Sequence, residues 1–573
     1  RIVNSSFGGK NPRRSGDEFT MRSSRSGGGG RGSRGSSAAK ETRVPDAAEL
    51  AELVSCQEDE YESLLEAKVD KAKTFVGRAM GLEDPLPSPR VFPSKRRHFR
   101  QRVNFRVLME GGELRYVMFS KLSKLSDPLR VSSFPRADER VNKLMPLVKR
   151  ECEAHASLRR RLVEIRFHST LRGGILALLC YGGPVGADWA AAAETAVTKL
   201  RDDTGDPSVL LVGRSKNVQL IAPAATNDVA QVHEVLRVEL EENPGPLKAD
   251  DDAQDAQDAV ESSSSPEEHP PTSPESPRKT FLELRYRQLE GEFSQPNGGV
   301  CEQMLSWALG ATSGSSEADL LELYCGNGNF GVALARNFRK VLAAEMSKAN
   351  TALARANVAE NGLTNVKVAR LNAAEVAEAL KPGARTFNRL NEQQVFLKDY
   401  DLKTILVDPP RAGLEDVAVD LCATFDAVIY VSCNPESLAR DLHKLRVTHR
   451  LEAFAVFDQF PYTDHCECGV KLVKRDEPKT DFPVVSSVGL VLATTEGNDD
   501  QDGDDGDRAG RKKARKKLRK QQLQDRKPQG GGRKRKKQDD DPTSPAVRYL
   551  GTQRAQNDAR AKRRRLFAGC AIM

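Results

Sequence analysis

DLLELYCGNGNFGVALARNF, running from Asp319 to Phe338, decides how this chain folds. It reads as an apolar strand, a glycine-rich turn and a helix. Gly326 and Gly328 allow a tight turn and a close approach by a ligand. Gly331 completes a literal G-x-G-x-x-G, so a dinucleotide site is the first rival reading. KVLAAEM reads as a second strand ending at Glu345, where a carboxylate can accept two ribose hydroxyls. The turn points to a nucleotide-like cofactor without choosing one. A bare strand–helix turn with no ligand has the same outline.

Working outward, residues 320–475 alternate strand and helix patterns, which implies βαβ units and a parallel sheet. In TILVDPPRAGL (Thr404–Leu414), apolar β-formers run into Asp408 and then two prolines. Proline cannot continue a ladder, so Asp408 is fixed at a strand's carboxyl end. That edge is where open α/β sheets bind ligands. A D-P-P turn after a later strand resembles S-adenosylmethionine-dependent nucleic-acid methyltransferases and is not expected of an NAD domain. The bland alternative is an acidic turn before a proline break.

The next strand, AVIYVSC, ends at Cys433 on the same edge. Pro435 stops the strand and ESLARDLHKL begins a helix, so Cys433 stands beside a helix N-terminus, where the dipole favours a thiolate. Uracil is electrophilic at C6 and nearly inert as a nucleophile at C5. A thiolate adding to C6 makes C5 enolate-like, able to attack a methyl sulfonium. A base must then remove the C5 proton. Taken alone, a cysteine here is more often a packing residue. Glu467 precedes the strand GVKLVK in what reads as a polar turn, and a carboxylate there can face the same edge. Alone, it reads as a solvated turn residue. HCEC offers His465, Cys466 and Cys468 as metal ligands, but C-x-C lacks the wider spacing of structural zinc motifs, so no metal is expected.

The rest of the chain is less regular. Its 573 residues are 38% hydrophobic and 30% charged, which suggests folded domains diluted by solvated tails. Scattered cysteines favour a reducing compartment. No apolar run reaches the roughly 18 residues of a membrane span. Between Arg508 and Lys537, 16 Lys and Arg face one Asp, a net +15, so the remainder of this +8 chain carries −7. Such runs bind nucleic acid, direct nuclear import, or simply solvate a tail. The first residue is Arg, which places the native start upstream or at Met21. YESLLEAKVDKAKTFVGRAM has helical spacing, HFRQRVNFRVLMEGGELRYVMF reads as a hairpin across EGGE, and GGILALLCYGG reads as a strand.

FSQPNGG, LLELYCGNGNF, VDPPRAGL, YVSCNPESL and FDQFPYTDHCECGV resemble, in that order, the RNA uracil-5-methyltransferase family. The resemblance is closest to its tRNA (uracil-5-) members, which make ribothymidine in the T-loop. It covers roughly residues 58–475 apart from 241–279. It implies an α/β fold: a Rossmann-like class I S-adenosylmethionine methyltransferase domain with an N-terminal α+β RNA-binding domain and disordered tails. The expected organisation is a Gly/Ser/Arg-rich tail at 1–57, an N-terminal α+β RNA-binding region at 58–240, and an acidic Pro/Ser-rich insertion at 241–279. A catalytic domain at 280–475 and an acidic, then basic, tail at 476–573 follow. By the same resemblance, Cys433 matches the nucleophile and Glu467 the proton-abstracting base. Gln295, Tyr324, Asn329, Glu345 and Asp408 match S-adenosyl-L-methionine contacts, beside Gly326 and Gly328 of the turn. Gln295 and Tyr324 rest on the resemblance alone. The substrate partner is tRNA, and Arg102, Phe105 and Arg106 of HFRQRVNFRV are the expected RNA contacts. A solvated strand face is the alternative for the two arginines.

Relatives that modify ribosomal RNA often carry a cysteine-rich iron–sulfur motif. Only Cys56, Cys152 and Cys180 precede residue 300 here, widely spaced, so no cluster is expected and tRNA is favoured. The tails would add non-specific, salt-dependent RNA contact. The end, Cys570-Ala571-Ile572-Met573, matches a C-a-a-X farnesylation pattern behind a basic cluster, which would give reversible membrane attachment; a chance match is the alternative. Cytoplasmic, nuclear and organellar placement all fit. Two rivals remain. One is a non-catalytic RNA-binding or chaperone protein on a methyltransferase scaffold. The other is an amine methyltransferase, which would need no cysteine nucleophile.

Overall fold

The computed structural model describes residues 55–81, 87–119, 128–216, 218–224, 230–240, 280–384 and 387–479. The 241–279 insertion, Cys570 and nearly all of both tails lie outside the described residues. The described chain opens with the expected helix, Tyr61–Met80, whose Ala72, Val76 and Met80 form a buried stripe. Strand β1 (Arg90–Phe92) follows. Strands β2 (Arg102–Glu110) and β3 (Glu113–Met118) form the expected hairpin, turning through Gly111 and Gly112 at φ +61° and +90°. With β4 (Leu129–Val131), β5 (Leu162–Ser169), β6 (Ile175–Tyr181), β7 (Val209–Ser215) and β8 (Val218–Ala222) they make a seven-stranded sheet in the order β4-β3-β2-β5-β6-β7-β8. Helices Glu139–Ala154 and Ala187–Thr204 share one core with it.

Strands β9 (Gln231–Leu240) and β10 (Thr280–Leu289) pair antiparallel over their whole length, from Leu240 opposite Thr280 to Gln231 opposite Leu289. Residues 241–279 are therefore the connection of a hairpin. That hairpin joins residues which sequence reasoning assigned to different regions.

The second large sheet contains β11 (Asp319–Leu323), β12 (Lys340–Ala344), β13 (Val366–Ala369), β14 (Leu402–Val407), β15 (Ala427–Ser432), β16 (His449–Phe457) and β17 (Glu467–Lys474). Its order is β1-β16-β17-β15-β14-β11-β12-β13. Strands β11 to β15 run parallel, while β17 runs antiparallel to both β15 and β16. Successive residues serve opposite faces. Leu321, Val407, Val428 and Tyr430 enter one core, and Leu320, Leu406, Ile429 and Val431 the other. Burial on both faces explains why these strands read as continuous apolar runs.

The first helix and β1 belong to this sheet's layers rather than to the seven-stranded sheet. β1 pairs parallel with β16, Arg90 opposite Ala455. Val76 and Met80 of the helix share a core with Leu438, Leu442 and Leu445 of the Pro435–Leu445 helix. No helix among the described residues is long and apolar enough to cross a membrane.

Candidate active site

Parallel strands all end on one edge, and β11, β12, β14 and β15 deliver Tyr324, Glu345, Asp408 and Cys433 there. The reversed direction of β17 brings its first residue, Glu467, to the same edge. Register makes this specific. Ser432 pairs with Cys468 in the antiparallel β15–β17 ladder, and the residues next beyond that last pair are Cys433 and Glu467.

The glycine turn is built for close approach. Gly326 and Gly328 adopt φ +56° and +84°, and a Cβ at Gly326 would meet no atom within 4 Å. Tyr324 itself sits at φ +60°, a strained conformation for a tyrosine beside a turn. Glu345 is 9% exposed; it accepts hydrogen bonds from the Gly326 amide (3.1 Å) and the Ser347 amide (2.6 Å), tying β12 to the turn. Asn329 opens the following helix and its side chain meets Cys301 Sγ (3.5 Å). Gln295 accepts from Gln459 Nε2 (3.0 Å), which draws the S-Q-P-N segment to the end of β16. An open cradle over left-handed glycines, flanked by the carboxylates Glu345 and Asp408, fits a ligand with a ribose and an ammonium group.

Asp408 is half-buried, and the surrounding protein pushes its carboxyl up to about 7. Glu467 is 3% exposed. Burial first, then the nearby Asp408 and Cys466, push its carboxyl well above the ordinary range, with Arg411 opposing. Cys433 is half-buried. The next residue, Asn434, caps the Pro435–Leu445 helix through Glu436 N (3.2 Å), with Pro435 at its first turn.

A family model described as tRNA (Uracil-5-)-methyltransferase matches residues 60–242 and 279–475. The chain belongs to the tRNA (uracil-5-)-methyltransferase family. Members use S-adenosylmethionine to methylate C5 of uracil in tRNA, and this chain is such an enzyme. A tRNA/tmRNA (uracil-C(5))-methyltransferase of Psychromonas ingrahamii is 37% identical over 417 residues, 73% of this chain and 98% of its own. One of Pectobacterium atrosepticum is 38% identical over 417 residues, with the same coverage of 73% and 98%. Among solved structures, a Pyrococcus abyssi tRNA (uracil-54, C5)-methyltransferase in complex with S-adenosyl-L-homocysteine aligns at a TM-score of 0.46 and 18% identity, covering 72% of this chain and 83% of that one.

Within this methyltransferase three expectations change. Glu467 is not in a polar turn; it opens β17 and is enclosed, because β17 lies between β15 and β16. Phe105 cannot serve as an RNA contact, because it is 1% exposed and packs edge-on against Tyr116, Phe134 and Phe167. Arg102 lies on the other face, but its guanidinium is committed to Glu292 O (2.7 Å) and Ser294 Oγ (3.1 Å) and its pKa is lowered to about 10 by burial. Arg106 is exposed. Among the described residues no group of three or more His, Cys, Asp or Glu is placed to hold a metal ion. Cys466 and Cys468 are buried, with their Sγ atoms 3.7 Å apart.

Sequence reasoning missed two buried acids. Glu322 is 1% exposed beneath the turn, and a Cβ at Gly331 would overlap its Oε2. The glycine that looked like a dinucleotide signature instead makes room for this acid. Asp441 is 1% exposed and accepts from Tyr430 OH (2.8 Å) and Leu414 N (2.8 Å). With Asn434 Nδ2 donating to Arg411 O (3.1 Å), it clamps the D-P-P loop to the helix behind Cys433. An acid inside the helix pattern ESLARDLHKL was the only signal.

Proposed function

We propose that this enzyme methylates the T-loop uridine of tRNA through a covalent adduct on Cys433, with Glu467 as the base. The observation that carries the reading is the β15–β17 register, whose last pair, Ser432 with Cys468, leaves Cys433, just before the Asn434-capped helix, and the enclosed Glu467 as the next residues at one sheet edge. Gln295, Tyr324, Gly326, Gly328, Asn329, Glu345 and Asp408 would hold S-adenosylmethionine. When bound, that group supplies an electrophilic methyl on a sulfonium. The Cys433 thiolate adds to C6 of the uracil, and the C5=C6 electrons move to C5 and O4, making C5 the nucleophile. After C5 is methylated, Glu467 takes its proton. The C5–H electrons re-form C5=C6, the C6–S bond breaks, and the pair returns to Cys433 as thiolate. Enclosure suits Glu467 to this step, because a desolvated carboxylate accepts a proton more readily than a solvated one. The seven-stranded region is proposed to bind RNA, with exposed Arg106 as a contact.

Transfer of labelled methyl to unmodified tRNA, followed by mapping of the labelled nucleotide, tests the assignment. Label on C5 of the T-loop uridine supports it. Label on an exocyclic amine, in a Cys433→Ala variant that still turns over, would favour amine methylation instead.

A further inference from the structure

Lys68 lies on the first helix and is 6% exposed. Its Nζ donates to Asp458 Oδ1 (2.7 Å) and to the backbone oxygen of Phe460 (2.8 Å). Asp458 is 2% exposed, and its amide donates to Phe92 O of β1 (3.0 Å). One ammonium therefore holds both ends of the turn that leaves β16. Between these anchors sits Gln459, 1% exposed. Its Nε2 donates to Gln295 Oε1 (3.0 Å), while its own Oε1 is buried with no hydrogen-bond partner among the described residues.

A buried ion pair is weak evidence for stability, since well-packed apolar residues of the same volume often serve as well or better. What this pair supplies is geometry. It fixes two points of a three-residue turn, and the middle residue touches Gln295. With its oxygen occupied by Gln459, Gln295 keeps its Nε2 hydrogens for an acceptor on the ligand. The amide of a half-buried glutamine otherwise rotates broadly about its last torsion.

We propose that Lys68 is a positioning residue for cofactor capture: it sets the 458–460 turn so that Gln459 orients Gln295. This rests on the assignment of Gln295 to the S-adenosylmethionine site. The N-terminal helix is then part of the cofactor machinery through the turn, and its Lys68 backbone oxygen also accepts from Cys466 Sγ (3.7 Å), next to Glu467.

The test uses the full chain and four proteins: wild type, Lys68→Met, Lys68→Met with Asp458→Asn, and Gln459→Leu. S-adenosylmethionine affinity is read by calorimetry, KM and kcat on unmodified tRNA, and Tm by thermal melting. Lys68→Met should lower Tm and raise Kd and KM for S-adenosylmethionine about tenfold or more, the scale of one lost hydrogen bond to a charged group, with a smaller change in kcat at saturation. The double variant removes the uncompensated charge, so Tm should recover while KM stays high. Gln459→Leu should raise KM with the ion pair intact. KM recovering together with Tm in the double variant, or unchanged cofactor affinity in Gln459→Leu, would overturn the proposal. Wild-type protein that bound no S-adenosylmethionine would instead overturn the assignment of the site itself.

Discussion

Glu467 carries the most demanding role at the scale of single residues. Its carboxyl is raised by burial, by Asp408 and by Cys466. It accepts a proton only when ionised, so release of methylated tRNA from the Cys433 adduct should fall as pH drops through that raised pKa. A stopped-assay pH profile should place this limb above the ordinary carboxylate range; a limb near pH 4 would contradict it. Glu467→Gln cannot take the C5 proton. We expect turnover on ordinary tRNA to fall about 10²–10⁴-fold, with a denaturation-resistant protein–tRNA band accumulating on gels. Asp408 shows the opposite side of burial. Its pKa is raised to about 7, so the folded state keeps a proton that the unfolded chain has already released. Its stability contribution is therefore lost as pH rises from the ordinary carboxylate range towards 7. Asp408→Asn should melt higher than wild type by about 1 kcal/mol at pH 8, much less at pH 5, and should bind S-adenosylmethionine more weakly. Melts at both values check the sign.

At the scale of elements, the D-P-P loop and the helix behind Cys433 act as one body. Asp441 joins them through Tyr430 OH and Leu414 N. Asp441→Ala would orphan both buried donors and should cost about 2–4 kcal/mol in denaturant unfolding, with no change in the unfolding slope. The elements themselves were readable because proline and glycine punctuate them. Pro409 and Pro435 end β14 and β15 where the sequence indicated, and Gly111–Gly112 turn the β2–β3 hairpin. What escaped was environment. Phe105 was grouped with Arg102 and Arg106, though period-two alternation in β2 puts it on the opposite, buried face. Glu467 looked like a turn residue because enclosure by β16 comes from pairing, which no local pattern reports. The Lys68–Asp458 pair spans most of the described chain and left no mark in either segment.

Across the whole molecule, the order of the chain and the layout of its layers disagree. Residues 61–92 supply a helix and an edge strand to the sheet that carries the site, although two other sheets intervene in sequence. A fragment of residues 280–479 would expose the apolar stripe of Leu438, Leu442 and Leu445 and leave β16 as an open edge. It should show no cooperative melting transition, whereas 55–479 should; a folded 280–479 fragment would contradict this. The central claim is covalent catalysis by Cys433. Fluorine at C5 cannot leave as a cation, so 5-fluorouridine-substituted tRNA should stall the reaction after methyl transfer. With S-adenosylmethionine, wild-type protein should give a retarded band on a denaturing gel and Cys433→Ala none. An equal band from Cys433→Ala, or no band from wild-type protein that methylates ordinary tRNA, would contradict the mechanism.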